Sequence, residues 1–317
     1  MKTLEINNLS IEFKSKAGMV HAVQNASLWL NEGEILGVAG ESGCGKTTTM
    51  LAIPGLLPKN AVVTGGEILF NGENLVGKTE KEMEAIRWKD IAVVFQGAMN
   101  ALNPLKTIGS QMVEPILLHE EGVTKQEAEA RVKELLEQVG IAGHRFSNYP
   151  HEFSGGMKQR VMIAMALVCR PKLIIADEPV TALDVMIQAQ ILELLKKLTK
   201  EYKLSMIMIS HDLSVLSELC DRMAIMYAGR VVEFGNAREV FLDPRHSYTD
   251  RLIHSLPDIN AERTFVGGIP GYPPSLIDPP KNCPFYERCS ERTDACLADF
   301  SLYEVSPGHM TGCILRK

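Results

Sequence analysis

The sequence predicts an α/β fold built on a mostly parallel sheet, and two observations support that prediction. Short apolar segments typical of buried strands recur at 91–95, 173–176, 206–209 and 223–226. Helical patterns alternate with these segments, which is the order expected when helices cover both faces of a parallel sheet. The helix-rich stretch from about 98 to 168 interrupts the alternation, so we expect an inserted helical subdomain there.

The N-terminal region predicts antiparallel structure instead. Residues 4–13 and 20–30 alternate apolar and polar side chains on either side of a Lys-Ala-Gly turn, which is the pattern of a β-hairpin. An apolar run at 35–39 then predicts a buried strand, and a glycine-rich turn leads from it into a helix over 47–57. We therefore expect an N-terminal antiparallel β subdomain before the main sheet.

Two later helices have clear amphipathic patterns. Residues 124–139 place apolar side chains on one face, and Thr124 with Glu127 forms the capping box that starts such a helix. Residues 187–198 repeat the same spacing of apolar side chains. Both helices should therefore cover a core with one face.

Composition and charge exclude several classes of protein. The chain has 317 residues, about two domains at roughly 150 residues each. Its 33 basic and 39 acidic residues give a net charge of −6, so the bulk charge indicates no nucleic-acid binding. The longest apolar run, Val161 to Cys169, is far below the roughly 18 residues of a membrane span. The N-terminal residues lack a signal-peptide pattern, so we expect a cytosolic protein.

The phosphate-binding pattern G-x-x-x-x-G-K-[ST] occurs twice. The copy at 40–47 follows a predicted buried strand and opens a helix, and its glycines allow backbone N–H groups to surround phosphate oxygens. There Lys46 would reach the β- and γ-phosphates and Thr47 would bind Mg²⁺. The copy at 72–79 has Leu75 and Val76 where small residues are required, so we interpret it as a surface loop.

Three further features narrow the chemistry. The strand at 173–176 leads into Asp177, which can hold Mg²⁺ through water, and Glu178, which can orient an attacking water. The alternative is a strand that ends in a capping acid. The segment 154–157 opens a second helix with an N-terminus suited to phosphate. His211 follows the strand at 206–209, at the edge of an α/β sheet where ligands bind, although a lone histidine is more often structural.

In this order the motifs resemble those of the ABC-transporter ATPases over about residues 3 to 255. The resemblance implies a RecA-like P-loop core that hydrolyses ATP with Mg²⁺. It implies catalytic roles for Glu178, His211 and the Q-loop residue Gln96, and magnesium contacts from Thr47, Gln96 and Asp177. It also implies ATP contacts from Phe13, which stacks on adenine, and from Gly40, Glu41, Ser42, Gly43, Cys44, Gly45, Lys46, Thr47 and Thr48.

The same resemblance implies partners. In that family two subunits enclose ATP, and the signature of one subunit faces the nucleotide on the other. Here the signature is Ser154, Gly155, Gly156 and Met157, and the D-loop contributes Asp184. Both half-sites are intact, and we expect a second ATPase subunit, as a heterodimer rather than a homodimer. Two transmembrane permease subunits, and indirectly an extracytoplasmic substrate-binding protein, would complete the assembly on the cytoplasmic face of the membrane.

The tail, residues 256–317, has a different composition. It holds eight of the sixteen prolines and four of the seven cysteines, and we expect it to be small and mostly irregular. A reducing cytosol argues against disulfides. The spacing of the cysteines lacks the paired C-x2–4-C of most zinc sites, so an iron–sulfur cluster, zinc and metal-free thiols all stay open. The four cysteines are Cys283, Cys289, Cys296 and Cys313.

The surroundings of these cysteines, Cys-Pro-Phe-x-x-Arg-Cys and Pro307-x-His309, resemble the C-terminal extension of oligopeptide/dipeptide-type ABC ATPases, in the peptide/nickel group. That resemblance implies a structural 4Fe–4S cluster on the four cysteines, with zinc as the alternative. It also implies an importer of di- or oligopeptides, or of nickel or oligosaccharide, with the cargo chosen by other subunits. The alternative function is a soluble ABC-type ATPase in nucleic-acid or translation-related work.

Overall fold

The computed structural model describes residues 1–95, 101–181, 183–255 and 268–316. The chain forms two compact units. The first contains Met1, Asn31–Gly33 and Lys78–Met208, and the second contains Lys2–Leu30, Glu34–Gly77 and Ile209–Lys317.

Strands and helices alternate in the first unit, as the sequence predicts. The strand order is β8-β7-β6, and β6 runs parallel to β7 with Ile91 opposite Leu173. All five residues of β7 and of β8 are buried. The elements are α2 (Glu80–Ile86), β6 (Ile91–Val94), α3 (Ile108–His119), α4 (Lys125–Gln138), α5 (Gly155–Leu167), β7 (Leu173–Asp177), α6 (Val185–Tyr202) and β8 (Ser205–Ile209).

Helices α3, α4 and α5 lie in the stretch where the sequence predicts a helical subdomain. The capping box of α4 is present: the Thr124 hydroxyl accepts a hydrogen bond from the Glu127 N–H at 3.3 Å, and the Glu127 carboxylate accepts one from the Thr124 N–H at 2.8 Å. The apolar face of α4, with Val132 and Leu136, is fully buried. The predicted helix at 124–139 is therefore confirmed.

The N-terminal strands of the second unit form an antiparallel sheet in the order β2-β1-β4-β5, which confirms the predicted hairpin. Leu4 of β1 pairs with Phe70 of β4. The second phosphate-loop pattern begins in the turn at Asn71 and Gly72, where a Cβ on Gly72 would contact nothing within 4 Å, as expected of a surface loop. The strands are β1 (Lys2–Ser15), β2 (Gly18–Asn31), β4 (Ala61–Phe70) and β5 (Glu73–Asn74).

The other strands of the second unit are of mixed direction. Their order is β11-β12-β10-β9-β3, and among the described residues of these strands only β3 and β9 pair in parallel. Strand β9 turns directly into β10 at Ala228 and Gly229, and so short a connection permits only antiparallel pairing. These elements are β3 (Ile35–Ala39), α1 (Lys46–Ala52), α7 (Leu213–Leu219), β9 (Arg222–Tyr227), β10 (Arg230–Asn236), α8 (Ala237–Leu242), α9 (Ser247–His254), β11 (Tyr303–Ser306) and β12 (His309–Thr311).

The described part of the tail, 268–316, is less irregular than its composition predicts. Strands β11 and β12 form a hairpin, and β12 continues the sheet by pairing Thr311 with Glu233 of β10. The tail thus gains regular structure from an existing strand edge. Among the described residues, no helix is both long and apolar enough to cross a membrane.

Candidate functional site

The phosphate loop lies in the second unit, between the fully buried strand β3 and helix α1. Gly40 has φ +145°, and a Cβ there would lie 2.0 Å from the Met226 carbonyl oxygen. Gly45 has φ +101°, and a Cβ there would lie 2.5 Å from the Ala22 carbonyl oxygen. Both positions therefore require glycine, because the backbone passes too close for any side chain. Helix α1 ends at Ala52, short of the predicted end, because Gly55 adopts φ +65°.

Lys46 lies inside this loop. Its side chain is buried, and its ammonium donates hydrogen bonds to the carbonyl oxygens of Gly40 (2.7 Å) and Glu41 (3.0 Å). Ser42, Gly43 and Thr47 are exposed, whereas Cys44 is buried. Burial raises the pKa of the Cys44 thiol, although the nearby Lys46 opposes that effect. The loop thus presents a cation and exposed backbone to one side.

Three more predicted residues lie in this unit. Ser210 donates its N–H to the Val38 carbonyl of β3 at 3.4 Å, so His211 directly follows a residue that is bonded to β3. Phe13 lies half-buried on β1, opposite Ala61 of β4. Thr48 is half-buried in the first turn of α1.

The paired carboxylates lie in the first unit, at the end of β7. Asp177 is buried, with 7% of its surface exposed. Glu178 adopts φ +49°, a left-handed conformation that costs energy for any residue except glycine. The Thr181 hydroxyl donates a hydrogen bond of 3.0 Å to the Glu178 carboxylate. The carboxylate is therefore held in one direction at the carboxyl end of the strand.

The signature segment and the D-loop aspartate are both helix caps in the first unit. Ser154 caps α5 and accepts a hydrogen bond from the Met157 N–H at 3.3 Å. Asp184 caps α6 and accepts one from the Ile187 N–H at 3.0 Å. A Cβ on Gly156 would lie 2.8 Å from Ile187 Cγ2, so the structure brings the start of α5 against the first turn of α6. Gln96 lies outside the described residues.

The four tail cysteines line one cavity in the second unit. Burial, together with the charges of the three other cysteines, raises the pKa of Cys283 to about 12. The Cys283 sulfur also lies 3.8 Å from the buried His246 Nε2. Among the described residues, no group of three or more His, Cys, Asp or Glu side chains converges to hold one metal ion. The iron–sulfur cluster therefore stays a prediction.

Sequence reasoning missed a buried carboxylate that anchors the tail. Glu233 is completely buried, and its oxygens accept hydrogen bonds from the N–H groups of Arg245 (2.7 Å) and His246 (2.9 Å). The His309 Nε2 of β12 lies 2.8 Å from the same carboxylate. The signal was a single acid in the middle of strand β10, between Val232 and Phe234.

Comparisons with known proteins identify the family of the chain. The ABC transporter family matches residues 23–181, and the oligopeptide/dipeptide transporter C-terminal region matches residues 232–296. The oligopeptide transport ATP-binding protein OppD of Salmonella typhimurium is 45% identical over 98% of this chain and 92% of its own length. The dipeptide transport ATP-binding protein DppD of Bacillus subtilis is 46% identical over 99% of this chain and 95% of its own length.

Solved structures give the same result for the fold. The ATP-binding cassette MJ0796, solved as a dimer in a post-hydrolysis state bound to ADP and Pi, is similar with a TM-score of 0.67 and 30% identity. It covers 74% of this chain, and 99% of its own chain is matched. The loop at 40–47, the carboxylates at 177–178 and the cap at 154–157 are thus set in an ATP-binding cassette fold, and the chain belongs to the ABC transporter family of ATPases.

Proposed function

We propose that this chain hydrolyses ATP to drive the uptake of di- and oligopeptides through partner membrane subunits. The observation that supports ATP as the substrate is the phosphate loop, where Lys46 is buried inside a glycine turn while Ser42, Gly43 and Thr47 are exposed. The names of the relatives, oligopeptide and dipeptide transport ATP-binding proteins, support peptides as the cargo.

The phosphates are bound by residues 40–48. The Lys46 ammonium exchanges its bonds to two loop carbonyls for bonds to the β- and γ-phosphates, while exposed backbone N–H groups hold the remaining oxygens. Phe13 stacks on adenine. Thr47, Asp177 and Gln96 would hold Mg²⁺, which would supply positive charge to balance the charge that develops on the phosphates.

Hydrolysis requires a group that orients water against the γ-phosphate. We assign this role to the Glu178 carboxylate, which accepts a proton as the water attacks. Its left-handed backbone and its hydrogen bond from Thr181 limit the directions in which it can point. We assign to His211 a contact with the γ-phosphate, since the preceding residue, Ser210, is bonded to Val38 of β3, the strand that leads into the phosphate loop.

A second ATPase subunit completes the site, in a heterodimer. The signature, Ser154 to Met157, would face the ATP that the partner binds, and Asp184 would lie at the same contact. Val185 and Met186, directly after Asp184, support a subunit contact because 82% and 71% of their surfaces are exposed despite their apolar character.

The permease subunits dock on the helical subdomain. A groove beside α3 and α4 is lined by the exposed apolar residues Leu117 and Leu118 together with Phe146, and by Lys125 and Glu129 at its polar side. This apolar groove with a charged rim has the character of a protein interface. Docking there places the chain peripherally on the cytoplasmic face of the membrane, where it receives the signal of the substrate-binding protein indirectly.

The tail cysteines would hold a 4Fe–4S cluster. A single zinc ion needs its sulfur ligands about 2.3 Å from one point, and the described side chains do not converge in that way. A cluster binds its four thiolates at separate irons, so the ligands only need to surround it, and the shared cavity supports that arrangement. The cluster would supply folding energy to a tail with a small core.

Metal analysis of the chain purified without oxygen tests the cluster. We expect about four irons with matching acid-labile sulfide per chain. Cys289→Ser should lose most of this iron, whereas Cys169→Ser, which removes a buried thiol of the first unit, should retain it. A colourless chain without iron, or one that binds one zinc, would contradict the cluster.

Transport itself is tested by placing the chain with its permeases and second ATPase subunit in lipid vesicles. We expect ATP hydrolysis to rise when a peptide-loaded binding protein is added, and labelled peptide to accumulate on the far side. If a binding protein loaded with nickel or an oligosaccharide stimulates hydrolysis instead, the chain is still part of an importer, but its cargo is not a peptide. Unstimulated hydrolysis with every cargo would refute the importer.

A further inference from the structure

Two nitrogens of the Arg288 guanidinium bind the backbone of the tail. Arg288 ends the short 3-10 turn Tyr286–Arg288, directly before Cys289. Its Nε donates a hydrogen bond to the Pro270 carbonyl and its Nη2 donates one to the Ile269 carbonyl, both at 2.8 Å. Only 6% of the side chain is exposed. The guanidinium therefore follows any movement of this part of the tail.

The third nitrogen of the same guanidinium, Nη1, reaches the phosphate loop. Nη1 donates hydrogen bonds to the Glu41 carboxylate at 2.9 Å and to the Tyr227 hydroxyl at 3.0 Å. Loss of Glu41 would be costly, because the guanidinium of Arg288 is almost fully buried and its charge would stay there without a partner. The tail and the loop are thus joined by one side chain.

Glu41 is held at its backbone as well as at its side chain. Its N–H donates a hydrogen bond of 2.9 Å to the hydroxyl of the fully buried Tyr248. Its carbonyl accepts one from the Lys46 ammonium. The second residue of the phosphate loop therefore has its amide, its carbonyl and its carboxylate all bonded, and the two bonds from outside the loop come from Tyr248 and Arg288.

Three buried rings surround these bonds. The ring of Phe285, from the tail, lies 5.4 Å from the rings of both Tyr227 and Tyr248, which lie 4.5 Å from each other. All three side chains are completely buried. The rings of Tyr227 and Phe285 cover the guanidinium of Arg288, so water screens its attraction to Glu41 less than it screens a pair with both side chains in solvent.

We propose that Arg288 is a positioning residue for nucleotide binding. It holds Glu41, and with it the phosphate loop, in the shape that accepts the phosphates of ATP. The cysteine-rich tail thereby contributes to nucleotide affinity in addition to any metal that it binds. This proposal rests on the proposed function, because it requires that residues 40–47 bind ATP.

The test is the dissociation constant of a fluorescent ATP analogue for the full-length chain, measured without turnover. We expect Arg288→Met to weaken binding about tenfold, and Arg288→Lys to recover part of the loss, since lysine keeps the charge but not the forked donors. The matched control is Arg316→Met, which removes a tail arginine that bonds Glu291 and the Pro244 carbonyl, away from the loop. It should leave the dissociation constant unchanged.

A double-mutant cycle separates positioning from general stability. Glu41→Gln should weaken binding to a similar degree, and Arg288→Met combined with Glu41→Gln should bind no more weakly than Arg288→Met alone. The proposal would be overturned if the losses of affinity in the two single variants multiplied in the double variant. It would also be overturned if a folded Arg288→Met chain bound the analogue as tightly as the parent. Lys46→Ala tests the ATP site separately from the role of Arg288. If this variant binds the analogue as the parent does, the assignment of residues 40–47 as the ATP site is wrong.

Discussion

Glu178 occupies a backbone conformation that few residues other than glycine adopt. This strain lies at the residue that we propose orients the attacking water and accepts its proton. Glu178→Gln preserves the size of the side chain and removes its ability to accept a proton. We expect the rate of ATP hydrolysis to fall at least about 100-fold, the usual contribution of a general base, while ATP binding is retained. Phosphate release and nucleotide binding measure the two effects.

The same variant should accumulate the ATP-bound closed dimer, which gel filtration with ATP would detect. The matched control is Glu201→Gln on α6, an exposed glutamate of the same unit, and it should hydrolyse ATP at the parental rate. Hydrolysis by Glu178→Gln within a few-fold of the parent would remove Glu178 from the mechanism.

At the scale of residues, the sequence was informative where a role depends on local spacing. Lys46, Asp177 and Glu178 lie within short motifs, and the structure places each at a strand or helix end of the expected kind. The bonds that hold Glu41 could not be predicted in this way. Their partners Tyr248 and Arg288 are 207 and 247 residues away along the chain, and no spacing rule connects them.

At the scale of elements, two helix caps of similar chemistry allow stability and function to be separated. Asp184 caps α6 and Thr124 caps α4, and each accepts a hydrogen bond from a backbone N–H three residues later. Replacing either with alanine should lower the free energy of unfolding by about 1 kcal/mol. Only Asp184→Ala should also lower ATP hydrolysis, because only that cap lies in the proposed contact with the second ATPase subunit.

Urea unfolding and ATP hydrolysis of the assembled pair of ATPase subunits measure these two effects. Equal loss of hydrolysis in both alanine variants would mean that α6 contributes only through stability.

The helices were predictable from the sequence because their signals are local: the capping box of α4 can be identified from four residues. The strands of the tail were not, because β12 becomes a strand by bonding the edge of β10, which lies far from it in the sequence.

At the scale of the whole molecule, the tail completes the core of the second unit and does not form a core of its own. Phe285 packs against Tyr227 and Tyr248, and His309 pairs with the completely buried Glu233. Composition alone predicts a separate irregular extension. It cannot show which buried groups in the rest of the unit have their partners in the tail. The tail thus belongs to the folding unit of the phosphate loop.

Deleting residues 256–317 should therefore destabilise the chain and not release a self-sufficient cassette. The deletion uncovers two buried tyrosines and leaves the Glu233 carboxylate without its hydrogen bond to His309, and the loss of a partner by a buried polar group typically costs about 1–3 kcal/mol. We expect a lower midpoint of thermal unfolding and greater binding of a hydrophobic dye. The solved cassette MJ0796 covers 74% of this chain while 99% of its own chain is matched, so a cassette fold as such does not require every segment of this chain. If the shortened chain unfolds at the parental temperature, the tail is an independent appendage, and its bonds to the phosphate loop do not stabilise the fold.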